Sequence, residues 1–322
     1  MSQNTRRKAV RGAWLLVILM GTAACQSPVR DPAQERGLAA LGRLPEADRP
    51  CLRFAVLGDM GTGNAGQHEV ARALARRASW EPLDLILTVG DNFYPAGVTS
   101  VDDPQWQTKF EEVYDLPALR APFYPSLGNH DHKGNAAAQV EYSGHGERWR
   151  MPAPYYTFNR ELENGLRVAF FAIDTTALGS CDEAAQEQLA WLDAALREAE
   201  DVDWRFVYGH HPLYSGSKTR RNPVLIEWLE PILIEHQVDV YFAGHDHVLQ
   251  MLRPIHGITH VISGAGAGPE KAYAVEWTDE SIYAATLGGA VVVTVTEETL
   301  TFEFVRMNGI VDHRETVERT RP

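Results

Sequence analysis

The chain is predicted to be an α/β protein, a four-layer α/β/β/α sandwich of two mixed sheets. Three observations lead there. Apolar runs at 52–57, 83–89, 168–173, 204–208 and 238–243 have the length and content of buried strands. Between them, residues 67–78 and 183–199 carry apolar side chains at three- and four-residue spacing, the pattern of amphipathic helices packed on a sheet. The C-terminal part then changes character: 258–262, 282–286, 290–295 and 300–305 read as short strands separated by turns, with no helix. A second sheet packed on the first would bury an apolar face of each.

Taken in order from the N-terminus, residues 1–25 read as an export signal, with a basic stretch from Arg6 to Arg11, an apolar run from Ala13 to Met20, and small residues to Ala24. The apolar run is short for a bilayer span. Gly21-Thr22-Ala23-Ala24-Cys25 resembles a bacterial lipoprotein cleavage box, with Thr22 standing where leucine or valine is usual. Membrane attachment through a lipidated Cys25 is the expectation, and simple cleavage near Ala24 is the alternative. Both place the remainder outside the cytoplasm, in the periplasm or envelope, or secreted. Residues 26–50, rich in Pro, Ala, Arg and Glu, read as a tether. Residues 51–322 read as one domain, long enough for a substantial core. Cys51 and Cys181 lie within it, and an oxidising compartment would permit them to pair.

Composition excludes little, since 44% hydrophobic and 23% charged residues are ordinary for a globular protein. Charge says more. A net charge of −13, more acidic still once Arg6, Arg7, Lys8 and Arg11 leave with a signal, is the wrong sign for tracking a nucleic-acid backbone. No nucleic-acid partner is expected, and the oligomeric state is left open.

Chemistry enters through five short motifs, each after an apolar run: Gly58-Asp59-Met60-Gly61, Gly90-Asp91-Asn92-Phe93-Tyr94, Gly128-Asn129-His130-Asp131, Val207-Tyr208-Gly209-His210 and Gly244-His245-Asp246-His247. In open α/β sheets, functional groups collect in the loops at the carboxyl ends of strands. Asp59 or Asp91 alone would read as a turn or helix-capping residue. With histidines and an asparagine at later strand exits, they read as ligands of a two-metal centre with Asp91 as the bridge. The two histidines of Gly-His-Asp-His need a bend to face neighbouring ions, and Gly244 is the expected bend.

These motifs resemble the metallophosphoesterase superfamily, and in detail its purple acid phosphatases. Many metallophosphoesterases carry Asp-x-His in the first motif. Here Gly61 takes the histidine position, while Tyr94 follows Asp91 by three residues. Phenolate is a hard anionic donor that suits ferric iron. The resemblance implies Fe(III) held by Asp59, Asp91, Tyr94 and His247, and a divalent partner (Fe, Zn or Mn) held by Asp91, Asn129, His210 and His245. His130-Asp131-His132-Lys133-Gly134-Asn135, Gln188-Leu189-Ala190-Trp191-Leu192, the run from Gly244 to Gln250 and Ser263-Gly264-Ala265-Gly266 are similar to the small, animal-type tartrate-resistant acid phosphatases. The likeness spans roughly Leu52 to Val305. Between Asp174 and Gln186 this chain is shorter than the animal enzymes, whose longer loop is linked to proteolytic control, so that control is not expected here.

The resemblance further implies hydrolysis of small phosphomonoesters by a metal-bridged or Fe(III)-bound hydroxide, with a trivalent ion keeping nucleophile available at mildly acidic pH. His130 is the candidate proton donor to the leaving alkoxide, Asp131 the residue that orients it or raises its pKa, and His211 a further phosphate contact. Two alternatives stay open. The same core can attack diesters or process nucleotides, and an iron pair can serve a noncatalytic envelope metal-binding or redox protein. Gly264 to Gly268 lacks the frame of a nucleotide loop and reads as a tight loop beside the site. His132 and His145 border an expected entrance.

Overall fold

The computed structural model describes residues 51–269 and 274–319. The export segment 1–25, Cys25 and the tether 26–50 lie outside the described residues. Two mixed sheets face each other. The first runs β13-β12-β11-β1-β2-β3, built from β1 (Leu52–Leu57), β2 (Leu85–Val89), β3 (Phe123–Ser126), β11 (Gly289–Val295), β12 (Thr299–Arg306) and β13 (Val311–Glu318). The second runs β10-β8-β9-β7-β6-β5-β4, from β4 (Tyr156–Glu161), β5 (Arg167–Ala172), β6 (Trp204–Tyr208), β7 (Val240–Ala243), β8 (Leu249–Ile255), β9 (Ile258–Ser263) and β10 (Ser281–Ala285). β1, β2 and β3 are parallel to one another, as are β5, β6, β7 and β9.

Phe54 of β1 meets Phe170, Phe206 and Phe242 of the second sheet at centroid distances of 5.3, 5.5 and 5.8 Å. These rings belong to the core between the layers, where apolar burial supplies most of the stabilisation. A second core lies under helices Glu183–Glu198, Pro223–Trp228 and Glu230–Glu235 on the outer face of the second sheet. The helix Ala65–Ala78 covers the first sheet, started by Asn64, whose side chain accepts from the Gln67 amide, and it buries Val70, Ala71, Leu74 and Ala78. Asp182 caps Glu183–Glu198 in the same way, and Leu189, Leu192 and Leu196 face the core. The four-layer sandwich is therefore as expected.

Its wiring is not. The C-terminal strands do not make a sheet of their own; β8, β9 and β10 complete the second sheet, while β11, β12 and β13 extend the first. Every residue of β11 is buried, as a strand covered on both faces is, and it lies between β1 and β12. Arg77 of the covering helix reaches β12: its Nε lies 3.0 Å from the 1% exposed Glu303, whose other oxygen accepts from Arg314 of β13 at 2.6 Å. Cys51 and Cys181 are both free thiols.

Candidate metal centre

All five motifs sit where the parallel strands end. Asp59 follows β1, Asp91 follows β2, Asn129 follows β3, His210 follows β6, and His245 with His247 follow β7. The chain must turn sharply at each exit, and three of the donors take the turn themselves: Asp59, Asp91 and His245 have φ of 54°, 51° and 66°. That is the left-handed region, costly for a residue with a Cβ. The bend in Gly-His-Asp-His is thus made by His245 rather than by Gly244. Gly244 is needed for a different reason, since a Cβ there would lie 2.5 Å from Asp59 Oδ2.

The side chains converge in two groups that share Asp91. In one, Tyr94 Oη lies 2.9 Å from Asp59 Oδ1, 2.8 Å from Asp91 Oδ2 and 3.1 Å from His247 Nε2. In the other, His210 Nε2 lies 3.3 Å from Asp91 Oδ2, 3.1 Å from Asn129 Oδ1 and 3.2 Å from His245 Nδ1. Gly61 makes room for the first group. A Cβ there would fall 1.8 Å from the Asn92 carbonyl oxygen, so no histidine fits at 61 in this geometry, and Tyr94 stands against Asp59 instead.

Hydrogen bonding alone does not satisfy either group. A phenol donates one proton, yet Tyr94 Oη faces two carboxylates at contact distance. His210 Nδ1 is 3.0 Å from the Val89 carbonyl and donates to it, which leaves a lone pair on Nε2 aimed at the oxygens of Asn129 and Asp91. Without a cation, only protons relieve this. Burial pushes His210 down, but Asp91 and Asp59 outweigh it and raise its pKa to about 10. Burial and the same two carboxylates drive the Tyr94 phenol far above its ordinary value. Burial also opposes ionisation of Asp91, but His210 beside it holds that carboxyl well below the usual range. The donor set suits cations, which would take the place of these protons.

His130 borders the first group. Its ring packs on Tyr94 with centroids 4.4 Å apart, Nδ1 is 2.6 Å from the Pro95 carbonyl, and Lys133 Nζ is 3.1 Å from Nε2. The expected partnership with Asp131 is a correction: Asp131 does not orient His130. Its fully buried carboxylate instead accepts from the amides of Asn92, Phe93 and Gly128 and from Gln139 Nε2, fixing the Asp91 and Asn129 loops to each other. Consecutive side chains point different ways, so proximity in sequence misled.

His211 lies at the second group, its ring 4.5 Å from that of His245. Thr175 Oγ1 accepts from the amides of His210 and His211, so its own proton goes to His211 Nδ1 at 2.9 Å, and Nε2 of His211 carries the hydrogen. Burial first, then His210 and His245, hold this histidine neutral with a pKa of about 2. His132 is spent on Asp174 at 2.7 Å. His145 lines a cavity of about 940 Å³ with Arg148, Arg150 and Tyr142, and none of the seven donors borders it. The loop after β9 does lie beside the site, with the Gly266 amide donating to the Gly58 carbonyl at 3.0 Å.

Sequence reading gave no role to Thr175, Lys133 or Asp246. Thr175 carries no periodic or motif signal and acts only through its position after β5. Asp246 and Lys133 stand inside motifs, where a buried acid and a basic neighbour of His130 were the available signals.

The family model of the calcineurin-like phosphoesterases matches residues 52–249, from β1 to the first residue of β8. The chain belongs to that family. This calcineurin-like phosphoesterase is 38% identical over 242 residues to tartrate-resistant acid phosphatase type 5 of Sus scrofa, covering 68% of this chain and 71% of that one. It is 30% identical over 288 residues to purple acid phosphatase 7 of Arabidopsis thaliana, covering 83% and 86%. Among solved structures it is similar to GAP50, the anchor in the inner membrane complex of Plasmodium, at a TM-score of 0.78 and 27% identity, over 84% of this chain and 90% of that one.

Proposed function

We infer that this protein is a purple acid phosphatase, a phosphomonoester hydrolase with a dinuclear metal centre. In our reading one metal is held by Asp59, Asp91, Tyr94 and His247, and the other by Asp91, Asn129, His210 and His245. The single observation that carries the assignment is Tyr94 Oη lying within 2.9 Å of both Asp59 and Asp91, an arrangement of acceptors that one phenolic proton cannot satisfy. A strongly acidic cation is needed to displace that proton, and phenolate with two carboxylates supports Fe(III) on this side. The imidazole, amide and carboxylate set on the other side supports Fe, Zn or Mn.

When bound, such a pair supplies Lewis acidity that activates water and offsets charge on a phosphoryl group. The remaining work belongs to the chain. The Nε2–H of His211 is a donor for a phosphate oxygen at the His245 end. At the Tyr94 end, the Pro95 carbonyl fixes Nδ1 of His130, so Nε2 is the atom that can pass a proton to the leaving oxygen. Lys133, now 3.1 Å from that nitrogen, is the partner that a bound phosphate would draw away.

A noncatalytic reading draws on the similarity to GAP50, an anchor protein, because a shared fold does not imply shared chemistry. Steady-state rates with a monoester, a diester and neither decide between hydrolysis of each kind and none. A visible spectrum with metal content on the same sample tests the centre itself: a purple tyrosinate band with two metals per chain supports the assignment, and a colourless protein with two non-iron metals refutes Fe(III). We further propose that residues 1–25 direct export with lipidation at Cys25. Among the described residues no helix is long and apolar enough to cross a membrane.

A further inference from the structure

Two histidines leave β6 side by side, and they differ in what stands at Nδ1. His210 Nδ1 faces the Val89 carbonyl at 3.0 Å, which only accepts, so His210 carries its hydrogen there and keeps a lone pair on Nε2. His211 Nδ1 faces the Thr175 hydroxyl at 2.9 Å. That hydroxyl already accepts from the amides of His210 at 3.2 Å and His211 at 2.9 Å, which uses both of its lone pairs. A hydrogen on His211 Nδ1 would find no acceptor there. The hydroxyl therefore donates, and the hydrogen of His211 sits on Nε2.

This arrangement is held on every side. Thr175 is 2% exposed just after β5, and Gly209 lets it approach, since a Cβ at 209 would lie 2.7 Å from Thr175 Cγ2. One residue earlier, the buried Gln188 grips both backbone groups of Asp174: its Oε1 accepts from the Asp174 amide at 2.7 Å, and its Nε2 donates to the Asp174 carbonyl at 3.1 Å. His211 is fixed at its amide by Thr175 and at its carbonyl by Tyr241 Oη, which donates to it at 2.8 Å. With the backbone and Nδ1 committed, Nε2 is the atom of His211 turned over to a ligand.

The choice of hydrogen decides what that ligand is. Ring nitrogens of His210, His211 and His245 all lie within 4.8 Å of one another, close enough for one cation to collect three imidazoles. A nitrogen that carries hydrogen ligates no metal, and one that accepts from a hydroxyl has its lone pair in use. We propose that Thr175 is a positioning residue: its proton keeps His211 from becoming a third imidazole ligand and presents the Nε2–H to a phosphate oxygen. The contact with phosphate rests on the phosphatase reading above.

The test uses the full chain loaded with zinc, which is diamagnetic and leaves imidazole resonances sharp. Ring 15N shifts of His211, assigned by the signals missing in His211→Gln, should show hydrogen on Nε2 and none on Nδ1 in the wild type and in Thr175→Ser. Hydrogen on Nδ1, or zinc on either nitrogen of His211, overturns the proposal on the wild type alone, whether or not the variants fold. Thr175→Val keeps the shape and loses the hydroxyl. It should lose the preference for Nε2–H and bind inorganic phosphate about tenfold more weakly by calorimetry, the scale of one hydrogen bond to a charged group. Thr175→Ser should bind phosphate as the wild type does. In the His211→Gln background, Thr175→Val should cause no further loss; a second tenfold loss there means that Thr175 does not act through His211, and overturns the proposal. A wild type that shows Nε2–H but hydrolyses no 4-nitrophenyl phosphate under iron, zinc or manganese loading overturns the phosphatase reading and leaves the assignment of the hydrogen intact.

Discussion

Replacing His260 by leucine should make the protein more resistant to acid, by an amount the structure allows to be worked out. His260 lies on β9, 2% exposed, with ring centroids of Tyr214 and Tyr241 at 5.2 and 6.1 Å. Neither ring nitrogen has a hydrogen-bond partner among the described residues. Burial, with a smaller push from His256, lowers its pKa to about 3. A depressed folded-state value means that the unfolded chain binds the proton first. Stability due to neutral His260 is complete above the ordinary value near 6.5 and is lost progressively as pH falls toward about 3. At pH 5.0 the unfolded histidine is about 1.5 pH units into its charged range while the folded one remains neutral, a loss of about 2 kcal/mol relative to pH 7.5. Urea unfolding followed by tryptophan fluorescence at pH 7.5 and 5.0, on metal-loaded wild type and His260→Leu, isolates this term, because other titrating groups are common to both proteins. The variant should be no less stable at pH 7.5 and should lose about 2 kcal/mol less on going to pH 5.0. Equal losses in the two proteins would refute the argument, for His260 would then titrate alike folded and unfolded.

Three further outcomes are expected. Tyr94→Phe should abolish the visible band and release metal on dialysis more readily than the wild type, and an unchanged spectrum would remove Tyr94 from the centre. His130→Ala should retain both metals by elemental analysis while kcat/KM falls about 100-fold, the scale of a positioned proton donor; an unchanged pH–rate profile would take His130 out of proton transfer. Glu303→Gln should cost about 3 kcal/mol in urea unfolding, since it leaves Arg77 and Arg314 facing each other without the buried charge between them. A cost near zero would show that desolvation already offsets that pair.

The convergence of Asp59, Asp91, His210, His245 and His247 was legible because each follows an apolar strand, whereas Asn129 follows β3, which has no such signal, and was placed by the order of the motifs alone. Tyr94 was legible through what Gly61 lacks, and the contact of Gly61 with the Asn92 carbonyl now gives the steric reason. Four strands escaped notice. β4 and β13 are largely polar and lie at sheet edges, β3 spans four residues and includes a proline, and β8, though its first half is buried, is broken in sequence by Gln250, Arg253 and Pro254. Sheet membership of the C-terminal strands depends on pairing across the whole chain, as Leu52 with Val295, which no local period encodes. Asp131 and Asp246 show the same limit in the site. Each is buried, and the donors that satisfy it come from tens of residues away in most cases, so the sequence marks the acid without revealing its purpose.

The donors do not come from one sheet. Asp59, Asp91 and Asn129 leave the six-stranded sheet, whereas His210, His245 and His247 leave the seven-stranded one. A metal pair held by them would crosslink the two halves of the sandwich, across the edge where the left-handed residues Asp59, Asp91 and His245 lie. Ligation and folding become linked, so the melting temperature should rise with free metal concentration and drop on chelation. Chelation should also loosen amide exchange first at the exits of β1, β2, β6 and β7, while the Phe54 cluster buried between the sheets stays protected. In that sense the centre would double as a hasp: ions that do the chemistry would also hold the two sheets shut at the strand ends where the donors gather.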